Sequence, residues 1–342
     1  MTKLRIIGAG ALLFVSAMVV WGQQKDPLSF VQSIPLPGLH DGDFDQFAVD
    51  LEGHRLFVAA EENSAVEVVD LHTNKLIHTI SDLKAPHSML YRPDLKKLFI
   101  SDGGAPEVKI YESDSYKPVG SIKLEGNPDL IAYDSSNKYM YLTNSKASDG
   151  VPSSFSYISV VDTTSSERLA DIKLDSAHID AMELEKSGPR LFVNMSSKNA
   201  VGIVDREKRT VIATWSIAQE GQQNLAMAFD EASHRLFTVT RKPAKLIFLD
   251  SDSGKIIASL PCVDIVDGAV FDASFKRIYV PGTEFVDVFH ERDNNHFDLI
   301  AHVQGAFRAK TAILIPQLKQ FYLAVPHHGE KSAEVRVFKV QP

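Results

Sequence analysis

The chain has 342 residues, of which 44% are hydrophobic and 23% are charged, and its formal net charge at neutral pH is −8. This composition is typical of a packed globular protein and excludes an intrinsically disordered chain. The acidic balance argues against nucleic acid as the main partner, and the single cysteine, Cys262, excludes an intrachain disulfide.

The first 22 residues differ from the rest of the chain. Lys3 and Arg5 precede an apolar run from Ile6 to Trp21, and Gly22 offers a small residue for cleavage. This pattern predicts a signal peptide, residues 1–22, and a mature protein that is periplasmic or secreted and not integral to the membrane. Loss of the two basic residues takes the net charge from −8 to −10. An uncleaved anchor is the alternative, although about 16 apolar residues are short for a full span.

A pattern of short strands and polar turns then recurs seven times. Its clearest copy runs from Tyr133 to Asn144. The second strands of the copies share an aromatic or aliphatic core: Leu56–Ala59, Leu98–Ser101, Tyr141–Asn144, Leu191–Asn194, Leu236–Val239, Ile278–Pro281 and Phe321–Ala324. A third strand follows each of them: Val66–Asp70, Val108–Glu112, Ile158–Asp162, Val201–Asp205, Leu246–Asp250, Val286–His290 and Val335–Lys339. Units of about 40–45 residues with four strands predict an all-β fold, a seven-bladed β-propeller of four-stranded antiparallel blades.

The repeat resembles that of the YVTN-type (YncE-like) β-propeller family. Tyr141-Leu142-Thr143-Asn144 is close to the tetrapeptide that names the family, and some copies keep its polar turn and basic residue before the strand, as in His54-Arg55-Leu56. The resemblance covers nearly all of residues 23–342 and implies a single propeller domain. It implies no particular reaction, because this architecture hosts binding proteins and enzymes alike.

The two ends of the chain are predicted to share the seventh blade. The seventh copy has strands near Thr311–Ile315, Gln320–Val325 and Glu334–Val340, one fewer than a blade needs. Phe30 to Ile34 form an alternating strand before the first copy, one more than that copy needs. We therefore expect the N-terminal strand to close blade seven, which removes the open sheet edge and favours a monomer.

Three connections are longer than the short turns that join most strands. Blade three carries an insert, residues 145–154, and blade seven has Pro326 to Lys331 at the equivalent place. Blade six has a polar turn from Glu291 to Asn295. Because successive connections alternate between the two faces of the disc, the first two share one face and the third lies on the other. We expect solvated loops, of the kind that often carry binding sites.

One position just before each innermost strand is rich in ionisable residues. Superposition of the seven copies on their second strands gives this ring: Asp45, His87, Asp129, Asp180, Leu225, Asp267 and Lys310. We expect Asn224 to face inward in place of the adjacent Leu225. The innermost strands of a propeller surround its central channel, so the ring predicts a ligand-binding site at the channel mouth.

Two interpretations of the ring are open from the sequence. Polar residues at strand ends can hold water in a solvated funnel without any ligand. Alternatively, carboxylates around one axis repel one another unless a cation compensates them, which predicts a ligand or divalent metal site. The candidate metal ligands are four carboxylates: Asp45, Asp129, Asp180 and Asp267. Oxygen donors of this kind favour Ca²⁺ or Mg²⁺ over zinc.

Histidines on the same face suggest a third kind of site, one for a transition metal. Four of them map there: His87, His178, His327 and His328. They come from three different blades, so a copper or zinc site would require that two imidazole nitrogens converge on one point. The geometry of the fold decides whether they do.

The enzymatic alternative is a metal-dependent hydrolase similar to the gluconolactonase-like propellers, which hold a divalent cation with Glu, Asn and Asp. Here Glu61, Asn194 and Asp267 are the candidates, although the motifs around them differ from that family's. The chain has no Gly-x-Ser-x-Gly elbow, Gly-rich phosphate loop or Cys-x-x-Cys-His motif. The leading hypothesis is a binding or interaction protein whose acidic mouth takes a small molecule, a peptide or a protein.

Overall fold

The computed structural model describes residues 26–148 and 151–342, and the predicted signal peptide lies outside them. Within the described residues, 28 strands form seven four-stranded antiparallel sheets. Six sheets use four consecutive strands each, and the seventh joins the first strand of the chain to the last three. The prediction of an all-β, seven-bladed propeller is confirmed.

The strands are numbered in chain order, and β1 (Leu28–Pro35) belongs to blade seven. Blade one contains β2 (Phe47–Asp50), β3 (Arg55–Ala60), β4 (Ala65–Asp70) and β5 (Lys75–Ile80). Blade two contains β6 (Pro86–Arg92), β7 (Lys97–Asp102), β8 (Glu107–Glu112) and β9 (Pro118–Lys123). Blade three contains β10 (Asn127–Asp134), β11 (Tyr139–Ser148), β12 (Val151–Asp162) and β13 (Glu167–Leu174).

The second half of the ring follows the same plan. Blade four contains β14 (Met182–Leu184), β15 (Arg190–Met195), β16 (Ala200–Asp205) and β17 (Thr210–Ser216). Blade five contains β18 (Gln222–Asp230), β19 (Arg235–Lys242), β20 (Ala244–Asp250) and β21 (Ile256–Pro261). Blade six contains β22 (Val270–Asp272), β23 (Arg277–Pro281), β24 (Phe285–Asp293) and β25 (His296–Gln304). Blade seven adds β26 (Ala312–Ile315), β27 (Gln320–Val325) and β28 (Glu334–Val340). The part of the chain that the structure describes also has three short 3-10 turns, Glu61–Asn63, Pro93–Leu95 and Ser196–Lys198.

The core lies between the blades, where the second and third strands of each sheet meet their neighbours. All six residues of β3 are buried, because both faces of a blade pack against other blades, whereas Ile80 alone is buried in the outer strand β5. The third residue of each second strand has an aromatic side chain that is at most 1% exposed: Phe57, Phe99, Tyr141, Phe192, Phe237, Tyr279 and Tyr322. Burial of such rings favours the packing of the blades against one another.

The turn before the second strand has a recurring backbone conformation. In six blades the residue before that strand has a positive φ of 50–65°: His54, Lys96, Lys138, His234, Lys276 and Lys319. This left-handed conformation costs an L-residue about 1 kcal/mol. In blade one the Asp50 carboxylate offsets this cost, because it accepts the Gly53 backbone N–H at 2.9 Å.

Arginines link neighbouring blades on the face opposite the channel mouth. The first residue of four second strands donates to a backbone carbonyl of the next blade: Arg55 to Ser113, Arg190 to Ser251, Arg235 to Asn294 and Arg277 to Gln341. We call Arg55, Arg190, Arg235 and Arg277 the interblade arginines. The basic residue that the sequence places before the strand therefore joins two blades.

The predicted closure of blade seven is confirmed. β1 pairs antiparallel with β28, with Phe30 opposite Phe338 and Ile34 opposite Val335. Leu28 and Ile34 are buried, so the strand also contributes to the core. The ring therefore has no open seam at blade seven.

Two of the three longer connections differ from the expected loops. In blade three the strands continue into the insert, where Ala147 pairs with Pro152 and Ser148 pairs with Val151. In blade six β24 continues through Glu291 to Asp293, and only a tight turn remains before His296. The blade seven segment is a loop, closed by an isolated bridge between His328 and Lys331. No helix among the described residues is long and apolar enough to cross a membrane.

Candidate functional site

All seven blades line a central channel with a volume of about 160 Å³. Each blade contributes through its first strand or the residues just before it: Gln46, Ser88, Leu130, Asp180, Ala226, Asp267 and Ala312. The ring predicted from the sequence lies where these strands begin. Its members nevertheless fall into separate groups with different surroundings.

Blades one to three place carboxylates around a single histidine. Nδ1 of His87 lies 2.7 Å from Oδ2 of Asp45 and 3.8 Å from both Oε1 of Glu61 and Oδ1 of Asp129. Ligand atoms of Asp45, His87 and Asp129 all lie within 4.8 Å of one another. Within the described residues, His87 is the only salt-bridge partner of these three carboxylates. We call Asp45, Glu61, His87 and Asp129 the acidic half of the mouth.

Backbone contacts within blade one and between blades one and two position the first part of the acidic half. The Asp45 N–H donates to the Ala59 carbonyl at 2.9 Å, and the Gln46 N–H donates to the His87 carbonyl at 3.0 Å. Glu61 opens the 3-10 turn that follows β3. These contacts hold the side chains of two blades at one point, although the residues are far apart in sequence.

Burial and like charges change the protonation of the acidic half. Loss of water raises the pKa of Asp45 and of Glu61, with nearby carboxylates adding to the effect. Although the Asp129 side chain keeps 41% exposure, the surrounding protein and the Asp45 charge raise its pKa to about 8. Burial opposes the charged form of His87, but the hydrogen bond to Asp45 and the charges of Asp129 and Glu61 raise its pKa to about 9. The acidic half therefore keeps protons at neutral pH that exposed groups would lose.

The other side of the mouth carries its own compensating charges. Nζ of Lys310 lies 2.9 Å from Oδ2 of Asp43 and 2.9 Å from Oδ2 of Asp267. Arg308 contacts Asp43 at 2.5 Å, and Arg241 lies 3.4 Å from Asp267. Three cationic side chains thus face two carboxylates. This side needs no bound cation.

The four carboxylates expected to bind one metal are not gathered at one point. Asp45 and Asp129 belong to the acidic half, whereas Asp267 is paired with Lys310. Asp180 borders a separate polar pocket between blades three and four. Burial raises the pKa of Asp180, and its Oδ2 atom has no hydrogen-bond partner.

Asn224 does not face the channel as expected. Its side chain is fully buried and donates from Nδ2 to Oδ1 of Asn194 and to the Ala200 carbonyl, both at 2.9 Å. Asn194 also accepts from Thr238 and donates to the Ala226 carbonyl, again at 2.9 Å. The two amides join blade four to blade five. Asn194 is committed to these bonds, which removes it from the ligand set of the hydrolase alternative.

The position of Glu183 in the channel was not predicted from the sequence. Glu183 lies on β14 opposite Phe192 of β15 and lines the channel, and its side chain has no hydrogen-bond partner within the described residues. Burial raises its pKa to about 7, with Lys186 opposing the shift. The signal lay three positions after the ring, where the other six blades carry apolar residues: Ala48, Leu90, Ala132, Ala228, Val270 and Ile313.

The four histidines of this face do not converge. His178 is exposed, His327 pairs with Asp41, and His328 stacks on Phe307 with 4.1 Å between ring centroids. Across residues 26–148 and 151–342, the one group with metal-ligand spacing contains a single imidazole. These residues therefore form no two-histidine transition-metal site.

Comparisons with known proteins show the fold and no family. No family model matches the chain, and no curated protein matches it. The chain is similar to a chain of the mitotic checkpoint complex, with a TM-score of 0.75 and 12% identity over 100% of this chain and 99% of that one. It is also similar to hydrazine synthase of Kuenenia stuttgartiensis, with a TM-score of 0.70 and 17% identity over 84% and 95%. Identities this low carry the propeller fold alone, and the resemblance to the YVTN-type family stays a prediction.

Proposed function

We propose that this protein is a binding protein that takes a positively charged ligand at the acidic half of its channel mouth. The observation that supports this most is the group of Asp45, His87 and Asp129, whose ligand atoms lie within 4.8 Å of one another. Glu61 adds a third carboxylate around the same imidazole. Lys310 and two arginines compensate the opposite side, whereas the carboxylates of this half have His87 as their one cationic partner within the described residues.

The donor set indicates which cations fit. One imidazole nitrogen with carboxylate oxygens suits Mn²⁺ or Zn²⁺, while the oxygens alone suit Ca²⁺ or Mg²⁺. An amine or guanidinium group of a small molecule or peptide would form charge-assisted hydrogen bonds to the same carboxylates. The blade three hairpin and the blade seven loop lie on this face and offer surface for a larger ligand. The predicted signal peptide would place this mouth in the periplasm or outside the cell.

Calorimetric titration of EDTA-treated protein with Mn²⁺, Zn²⁺, Ca²⁺, Mg²⁺ and spermidine tests this function. We expect a cation to bind and, at a hundredfold excess over Kd, to stabilise the fold by about 2.7 kcal/mol. Asp45→Asn and His87→Gln should each weaken Mn²⁺ or Zn²⁺ binding about tenfold or more, since each removes a ligand atom.

The matched control is Asp175→Asn, which removes the same charge from a side chain that is 86% exposed on the same face. We expect its Kd to stay within about twofold of the wild-type value, because exposed charges are screened. If none of the five cations binds, or if Asp45→Asn binds them all as well as the wild type does, the proposed function is wrong.

A further inference from the structure

A small polar pocket lies between blades three and four, beside the mouth. Its volume of about 40 Å³ exceeds the roughly 10–15 Å³ that a cavity needs to hold one water molecule. Asn144 of β11 lines one wall, and Asp180, just before β14, lines the other. Asp129 of β10 lines the pocket as well, and the other polar residues of the lining are Thr143, Ser145, Ser156 and His178. The space therefore admits a single ion or a few water molecules.

Hydrogen bonds fix the orientation of the Asn144 amide. Oγ of Ser159 donates its only proton to Asp171 at 2.5 Å, so it accepts from Nδ2 of Asn144 at 2.8 Å. A reversed amide would set two acceptors against each other. Asn144 is 2% exposed, and its Oδ1 atom has no hydrogen-bond partner. A buried acceptor without a partner costs about 1–3 kcal/mol, so the pocket is built for an occupant.

The occupant faces oxygen atoms from three side chains. Oδ2 of Asp180 also lacks a partner, and Asp180 has no salt bridge within the described residues. The Asp129 carboxylate adds further oxygen donors. Water molecules can donate hydrogen bonds to these atoms, but they bring no positive charge that would favour the ionised form of the two carboxyl groups. A cation with a preference for carboxylate and amide oxygens satisfies all three side chains.

We propose that this pocket binds a hard divalent cation of the Ca²⁺ type, held by Asp129, Oδ1 of Asn144 and Oδ2 of Asp180. Water would take the remaining coordination positions. The site does not rest on the proposed function, because it uses oxygen donors only and two residues outside the acidic half. Asp129 borders both sites. The ion would join blade three to blade four at the mouth.

Calcium titration of EDTA-treated protein, by calorimetry and by thermal unfolding, tests the pocket. We expect Ca²⁺ to raise the melting temperature, and Asn144→Ala and Asp180→Asn each to weaken Ca²⁺ binding about tenfold or more. Asp180→Asn is isosteric, so it guards against a variant that fails to fold. Asp175→Asn is again the charge-matched control and should keep the wild-type Kd within about twofold.

The outcomes separate the two sites. If Asp45→Asn removes the Ca²⁺ response and Asn144→Ala does not, calcium binds in the acidic half, so the pocket inference is wrong and the proposed function stands. If Asn144→Ala removes the response and no cation responds to Asp45→Asn, the pocket stands and the proposed function fails. If Ca²⁺ leaves the melting temperature unchanged, the pocket holds water alone and the inference is overturned.

Discussion

Glu183 places an ionisable group in the channel next to several apolar side chains. Met182, Met227 and Ala269 line the same space. Burial raises the pKa of Glu183 from 4.5 to about 7. Between these two values the folded state holds a proton that the unfolded state has lost. The contribution of Glu183 to the free energy of unfolding of the wild-type protein therefore falls as the pH rises from about 4.5 to about 7.

Glu183→Gln should remove this pH dependence. At about pH 8 we expect the variant to be more stable than the wild type by on the order of 1–3 kcal/mol, because it no longer buries a charge. Near pH 4.5 the difference should disappear, since the carboxyl group is then largely protonated in the folded protein. Urea unfolding at several pH values measures both, with the exposed Glu167→Gln as control. A variant no more stable at pH 8 would show that the wild-type charge is compensated.

The sequence located the mouth residues better than it located their partners. The repeat register placed Asp45, His87 and Asp129 at the channel, because that register follows from the strand spacing. Their convergence depends on side-chain rotamers and on contacts between blades, which no single repeat contains. The prediction for Asn224 was wrong because a buried hydrogen bond from its side-chain amide to Asn194 holds it between two blades. The repeat pattern alone predicts that it faces the channel.

At the scale of the strand, β1 seals the sheet edge of blade seven. Removal of residues 26–35 should leave the backbone groups of β28 unpaired and expose apolar neighbours of Leu28 and Ile34. Loss of these two buried side chains alone costs roughly 3–6 kcal/mol. We expect aggregation, or a lower urea midpoint, detected by size-exclusion chromatography and urea unfolding.

The control for this deletion is Val31→Thr, because Val31 is 50% exposed at a β-bulge and contributes little to the core. Its free energy of unfolding should stay within about 0.5 kcal/mol of the wild-type value. A deletion variant that remains monomeric and equally stable would contradict the role of β1 in closure.

In the blade three insert, the sequence predicts a loop but the structure has paired strands. Serine, glycine and proline between residues 145 and 154 are typical of a loop. The structure instead continues the antiparallel ladder as far as Ser148 and Val151. An established pair of strands can extend its hydrogen bonds through residues of low strand propensity, because each added pair satisfies backbone groups.

At the scale of the whole molecule, the interblade arginines connect neighbouring blades by hydrogen bonds. Arg235 is 7% exposed, donates to the Asn294 carbonyl at 2.9 Å and pairs with Asp250 at 3.2 Å. Arg235→Met should lower the free energy of unfolding by about 1–3 kcal/mol, because the Asn294 carbonyl and the Asp250 carboxylate lose a donor that is itself buried.

Urea unfolding compares this variant with Arg292→Ala, which removes a 66% exposed arginine from blade six. The control should change stability by less than about 1 kcal/mol, as exposed ion pairs usually do. Equal effects of the two substitutions would show that Arg235 does not tie the blades together.

The number of blades and their closure were predictable because both follow from counting strands. The direction of the arginine contacts was not, since a basic residue before a strand looks the same whether it reaches solvent or another blade. The identity of the ligand is harder still to predict from the sequence. The ligand that binds depends on which charges of the ring are already compensated, as Lys310 compensates Asp267.

The closure of blade seven also means that, during synthesis, the first strand is made long before the strand with which it pairs. Gln341 donates to Ser29 at 2.7 Å across a separation of 312 residues. At about 5–20 residues per second, β1 waits about 15–60 s during synthesis for that partner to appear. Throughout this interval a strand with apolar Phe30 and Val31 has no neighbour to pair with. The nascent chain must keep its first strand free of other partners until its last strand arrives.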